Sequence, residues 1–137
     1  MNGTAMQSLS SGFKKRKRTG WIEDAACIGT SPSRFDVAPR TSRLLVDDPS
    51  KWIDAIRTQA PMCEHCPVAM QCASDALDTN DQEIIRGGVA VPRFANTMKR
   101  AHFHAARMLQ RDVAAGVPVA VVYDMAPEFI DRWANDV

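Results

Sequence analysis

The chain has 137 residues, 45% of them apolar and 24% charged, which suits one small globular domain with tails and excludes a large enzyme with an extensive cleft. No apolar run approaches the roughly 18–20 residues of a bilayer span, and the N-terminal MNGTAMQSLSSGF lacks the apolar core of a secretory signal, so a cytoplasmic protein without membrane contact is expected. The net charge of +1 conceals segregation: Lys14, Lys15, Arg16, Lys17 and Arg18 stand without acids in residues 1–20, residues 21–92 are net −5, Arg93, Lys99, Arg100, Arg107 and Arg111 stand without acids in residues 93–111, and residues 112–137 are net −4.

Residues 1–20 are Ser/Gly-rich and then basic, without apolar periodicity, and are expected to be disordered, with order starting at Trp21. Residues 28–47 hold prolines, serines and scattered apolar groups and read as a long loop. Asp48-Pro49 is an N-cap followed by proline at the first helical position, opening a helix to about Ala60 with Trp52, Ile53 and Ile56 on one face. Pro61 ends it, and Cys63–Cys66 forms a turn. Pro67 opens a second helix to about Asp78, with Val68, Cys72 and Ala76 aligned. Thr79, Asn80 and Asp81 break that helix. Gly87-Gly88 predicts a turn with short extended flanks. Pro92 opens a longer helix to about Ala115, with Phe94, Met98, Ala101, Ala105 and Met108 on one stripe and Gly116 as its stop. Pro118 and Pro127 bracket a short apolar piece, and a last helix starts at Glu128. The fold class is all-α: a basic tail over 1–20, a cysteine-bearing domain over 21–92, a basic helix over 93–115 and an acidic helical extension over 116–137.

The chain has four cysteines, Cys27, Cys63, Cys66 and Cys72, in the spacing C-x35-C-x2-C-x5-C. The x2 turn lets two sulfurs converge on one point. A place near a helix start turns the Cys72 thiolate back toward it, while a long loop must deliver Cys27. Spacing alone leaves three readings open. An iron–sulfur cluster needs four thiolates and tolerates irregular spacing. Structural zinc commonly uses two knuckle pairs, and one is present. Disulfides or redox thiols are the third, although no signal segment points to an oxidising compartment. His65, inside the x2 loop, is expected to point away from the metal, and His102 and His104 are expected to pack or face solvent rather than ligate.

The chain resembles the WhiB-like proteins of actinobacteria and their phages from Trp21 to about Gly88. Trp21, Ala25 and Cys27 form W-x3-A-x-C, followed by Pro32 and Phe35. Cys63, Cys66, Pro67, Val68 and Cys72 form C-x2-C-P-V-x3-C, with Ala76-Leu77 behind. The family's G-(V/I)-W-G-G turn is matched by Ile85, Gly87 and Gly88, but Ile84 replaces its leading glycine and Arg86 its tryptophan. The resemblance implies a small helical domain around a 4Fe-4S cluster held by Cys27, Cys63, Cys66 and Cys72. It further implies a redox-responsive transcriptional regulator and not an enzyme. The implied partners are the C-terminal region of the principal sigma factor of RNA polymerase and promoter DNA, with no small-molecule substrate. The implied sigma surface comprises Trp21, Phe35, Ile85, Arg86, Gly87 and Gly88. Arginine at 86 pairs with a sigma carboxylate, marks an altered partner, or marks loss of sigma binding. The alternatives are a cluster-bearing protein disulfide reductase and a zinc-stabilised interaction module.

Four thiolates around a cluster core leave about −2 of charge within a segment already net −5. Such a site does not dock on DNA. Phosphate contact is therefore expected from the basic blocks: Lys14, Lys15, Arg16, Lys17 and Arg18 in the tail, and Arg93, Lys99, Arg100, Arg107 and Arg111 on the long helix. Arg93, Arg100, Arg107 and Arg111 recur at spacings of seven and four, near one helix face. The closing helix carries Glu128, Asp131 and Asp136 against one Arg132, so it is expected to pack on the core or a protein partner rather than enter a DNA groove.

Overall fold

The computed structural model describes residues 21–93 and 100–135, in which five α-helices surround one two-residue-stranded hairpin. The basic tail with Lys14–Arg18, together with Phe94, Met98 and Lys99, lies outside the described residues. The region 28–47 is not the expected long loop. It holds a 3-10 turn over Pro32–Phe35 and a helix α1 over Pro39–Asp47. Pro39 stands in the first turn, where its missing N–H leaves no bond unmade. Ser42 and Leu45 are buried as α1 packs against its successor. Asp48 joins the two helices: its N–H bonds the Leu44 carbonyl at 2.8 Å, and its carboxylate accepts from the Lys51 N–H at 3.3 Å. As the Asp-Pro signal predicts, α2 runs over Pro49–Gln59 and buries Trp52, Ile53 and Ile56.

Helix α3 spans Ala69–Thr79, opening two residues after Pro67. Asn80 closes it in the left-handed region at φ 56°, donating its N–H to the carbonyls of Ala76 and Leu77. Strands β1 (Ile85–Arg86) and β2 (Val89–Ala90) pair antiparallel, Ile85 opposite Ala90 and Arg86 opposite Val89. Gly87 and Gly88 connect them at φ 60° and 82°, the two positive angles of a type I′ turn. Asp36 bridges to Ile84 beside the hairpin, which ties the Phe35 segment to the same small sheet.

Helix α4 spans Arg100–Ala114, and Gly116 at φ 106° follows its end. Its buried line runs through Ala101, Ala105, Leu109 and Val113, whereas Met108 of the expected stripe is only half-buried. The C-terminal segment differs from expectation: α5 is one helix over Val119–Asn135 with Pro127 inside it. Val119, Val122, Tyr123, Ala126 and Ile130 are buried at steps of three and four straight through the proline. Their packing outweighs the roughly 3 kcal/mol that an interior proline costs. α3 packs on α4, α4 on α5, and α5 returns to α2, so the acidic extension closes the same core as the cysteine helix. Among the described residues no helix is long and apolar enough to cross a membrane.

Candidate metal centre

Three separate stretches deliver the four thiols. Cys27 lies in a turn just after the 3-10 helix Trp21–Asp24, closed by the Thr30 N–H on the Cys27 carbonyl at 2.9 Å. Cys63 stands in the 3-10 helix Pro61–His65, and extended backbone at Cys66 ends it. Cys72 occupies the first turn of α3. All four line one cavity of about 520 Å³, with Trp21, Phe35 and Val68 among its walls. None of the four is joined in a disulfide. His65 is exposed and borders a different groove, as its place in the x2 loop predicts. Among the described residues no three His, Cys, Asp or Glu side chains gather at one ion-sized point. The thiols face a shared space instead.

Backbone N–H groups are aimed at the sulfurs. Ala26 donates to Cys66 Sγ at 3.4 Å, which pins the Cys27 turn to the x2 loop. Gly87 donates to Cys72 Sγ at 3.2 Å, and the Gly88 backbone bonds toward Cys63. Donors of this kind favour a thiolate. Without a metal, the opposite influences prevail at two positions. Burial, then the neighbouring Cys72 and Cys66, pushes the Cys63 thiol up to about 12. Burial, then Cys66 and Cys72, raises Cys27 as well. A cationic metal in the space beside them would offset that penalty at Cys27 and Cys63 and hold both as thiolates.

The x2 loop is braced from α2. Arg57 grips Glu64 with two nitrogens, at 3.2 and 3.3 Å, and lies 5.3 Å over the Tyr123 ring. The Tyr123 hydroxyl, buried, donates to the Gly88 carbonyl at 2.8 Å. Burial, then the charges of Cys63 and Glu64, raises its pKa against the pull of Arg57.

Arg86 lies in the site and not on an outer surface. Its Nε donates to Cys72 Sγ at 3.2 Å, one terminal nitrogen bonds Asp75 at 2.8 Å, and the other pairs with Asp81. Burial works against its charge, but the bonds to Cys72 and Asp75 and the charges of Cys72 and Asp81 prevail, so the guanidinium is held firmly protonated. The hairpin that carries it is anchored on α4, where the fully buried Gln110 donates to the Arg86 carbonyl at 3.4 Å.

The sequence-predicted surfaces are rearranged accordingly. Of the expected sigma surface, Phe35, Ile85, Gly87 and Gly88 are buried, Arg86 is engaged internally, and Trp21 is half-exposed. The exposed apolar groups at the cavity are Ile22 and Ile28, at 47% and 59% exposure. Sequence reasoning passed over both, although each is an apolar residue flanking the Cys27 turn with no periodic partner. Of the expected basic helix face, Arg100 and Arg111 are exposed, and Arg93 reaches Glu83 at 3.5 Å from an exposed position. Arg107 departs from it. Only 8% exposed, it bonds Gln110 at 3.1 Å and Asn80, and lies 5.6 Å over the Phe103 ring. A guanidinium committed to these partners does not reach a phosphate.

No solved structure matches the chain. Proteins of similar sequence include transcriptional regulators WhiB4 from Mycobacterium marinum (strain ATCC BAA-535 / M) and Mycobacterium tuberculosis (strain CDC 1551 / Oshkosh). Each is 31% identical over 88 residues, covering 64% of this chain and 64% or 63% of the relative. The chain therefore spans just under two thirds of the length of these curated relatives. The model of the family described as transcription factor WhiB matches residues 21–113, a stretch that takes in all four cysteines, Arg86 and nearly all of α4. The chain belongs to the WhiB transcription factor family.

Proposed function

We propose that this chain is a transcriptional regulator whose four cysteines hold a 4Fe-4S cluster, and that it acts on the principal sigma factor and promoter DNA. The observation that carries the reading is that Cys27, Cys63, Cys66 and Cys72, from three chain segments, line one cavity, with backbone N–H groups aimed at the sulfurs of Cys66 and Cys72. Thiolates on the walls of a shared space suit a group larger than a single ion, and N–H donors at the sulfurs are the usual companions of such clusters. When bound, the cluster supplies one-electron chemistry and reactivity toward oxidants. The chain's own part is to hold the thiolates, limit access with Trp21 and Phe35, and present a rim to a partner.

That rim consists of Trp21, Ile22 and Ile28. Exposed apolar groups around a site, within a segment of net −5, suit a protein partner and not a polyanion. In this reading the sigma partner would dock on these three residues, with the hairpin supporting them from inside. DNA contact falls to Arg100, Arg111 and the basic residues 14–18.

Anaerobic purification followed by visible spectroscopy, with iron and sulfide assays, tests the cluster. Co-purification of the coloured protein with sigma, compared with an Ile22→Ser/Ile28→Ser variant, tests the rim. A coloured protein that never captures sigma would sink the partner part alone, and a colourless zinc protein would sink the whole.

A further inference from the structure

Arg86 touches the sulfur of one cluster ligand with a charged donor. Its side chain is only 20% exposed, and its partners fix it completely. Asp75 holds one terminal nitrogen and Asp81 the other, which leaves Nε as the edge that meets Cys72 Sγ at 3.2 Å. The two carboxylates therefore set the guanidinium plane. A lysine has one nitrogen in place of this fork and does not satisfy three partners in a plane. Cys72 also receives the Gly87 N–H at 3.2 Å, so two donors converge on this sulfur, whereas Cys66 receives one long bond from Ala26 at 3.4 Å. Hydrogen-bond donation to the sulfurs is therefore lopsided, heaviest at Cys72.

We propose that Arg86 is a positioning residue that raises the reduction potential of the cluster by holding a charged N–H against the Cys72 thiolate. The proposal rests on the cluster reading above. Reduction adds one electron to the bound cluster from a low-potential donor, dithionite in the experiment below, with no bond broken and no proton required. The added negative charge is spread over iron and sulfur. A cationic N–H at one sulfur stabilises that reduced form more than the oxidised one, because hydrogen bonds to the sulfurs and net charge set such potentials. Asp75 and Asp81 oppose this with their own charge while orienting the guanidinium. The trio therefore predicts two variants with shifts of opposite sign.

Arg86→Met keeps the stem but removes donor and charge, and leaves two carboxylates beside the site. Its potential is expected to fall by at least about 59 mV, a tenfold change in the reduced-to-oxidised ratio at fixed potential. Asp75→Asn combined with Asp81→Asn keeps acceptors for the guanidinium while removing two negative charges, and its potential is expected to rise. The experiment is a potentiometric titration of the anaerobically purified full chain, with dithionite and mediators, read by visible bleaching and by electron paramagnetic resonance of the reduced state. A merely structural role for Arg86 moves stability but gives no opposite-signed pair of potentials. Coloured wild-type and Arg86→Met proteins with equal potentials overturn the proposal and leave the cluster reading standing. A colourless wild-type protein overturns the cluster reading itself. If Arg86→Met takes up no cluster, Arg86→Gln, which keeps an N–H donor and removes the charge, decides: a lower potential supports the proposal, and an unchanged or higher one overturns it.

Discussion

At Gly88 a single methyl group is already too much. A Cβ built there would lie 2.7 Å from Val119 Cγ1 and 2.9 Å from the Tyr123 hydroxyl, on backbone at φ 82°. Gly87 is equally enclosed, its Cβ position 2.7 Å from Ala73 Cβ. Strain at positive φ and overpacking each cost roughly 1–3 kcal/mol. Gly88→Ala is therefore expected to lower the melting temperature clearly, a result that circular dichroism checks, and unchanged melting would show that α5 yields. These glycines bring the hairpin onto α3 and α5, and so deliver Gly87 N–H and Arg86 to Cys72. Tyr123, which meets Gly88 from the other side, makes a pH prediction. The fold holds it as neutral phenol with a raised pKa. Above about pH 10, the ordinary phenol value, the unfolded chain loses a proton that the native chain keeps, so stability falls as pH rises. Tyr123→Phe should lower stability near neutrality by about 0.5–1.5 kcal/mol for the lost bond to Gly88, and should flatten the alkaline decline. An alkaline limb identical to wild type would mean that other groups drive it.

Helices tell where sequence signals suffice and where they do not. The Asp48-Pro49 start, the Asn80 stop and the Gly87-Gly88 turn were legible, because each is local chemistry confined to a few residues. Helix α1 was not. Its nine residues bury only Ser42 and Leu45, so the apolar period is too sparse to see, and packing on α2 supplies what the pattern lacks. Helix α5 hid behind Pro127, where the tertiary face overrides a local breaker. Pro127→Ala should restore the N–H bond to the Tyr123 carbonyl and stabilise the protein by up to about 3 kcal/mol, seen as a higher midpoint in urea. A lower midpoint would show that the proline shapes the helix to its seat. On α4 the spacing of arginines was legible but their depth was not, because a long side chain at a helix edge can turn inward to Asn80 and Gln110. Arg100→Gln with Arg111→Gln is accordingly expected to weaken DNA binding and lower its salt slope by up to about 2. Arg107→Gln should leave the slope alone and lower stability, because its desolvated charge is held by the buried Gln110 and by Asn80. A slope that drops with Arg107→Gln would put that side chain back on the DNA.

Across the whole molecule the cysteine-lined cavity is the junction. The x2 loop, the Cys27 turn, the first turn of α3 and the hairpin meet at one cavity, and α5 closes over the Gly88 side of that hairpin. The four cysteines stood out along the chain because the x2 spacing is local and three of them lie within ten residues, and the structure brings all four to that cavity. Arg86 was seen there as a departure from the family turn but assigned outward, since nothing along the chain reveals that Asp75, one helical turn beyond Cys72, and Asp81 meet it across the turn. A chain of this size buries a modest core, so metal binding is expected to add materially to its folding energy. Ligation by all four thiolates makes the sharpest demand. Each Cys→Ala change, at Cys27, Cys63, Cys66 or Cys72, opens one corner of the site. The most direct measurement is iron and sulfide content with the visible spectrum of the full chain purified without oxygen, beside Cys27→Ala prepared identically. A brown wild-type protein carrying about four irons and four sulfides per chain, and a Cys27→Ala protein that loses the colour and melts lower, is the predicted result. A colourless wild-type protein, or a Cys27→Ala protein fully loaded and equally stable, would contradict four-cysteine ligation of a cluster.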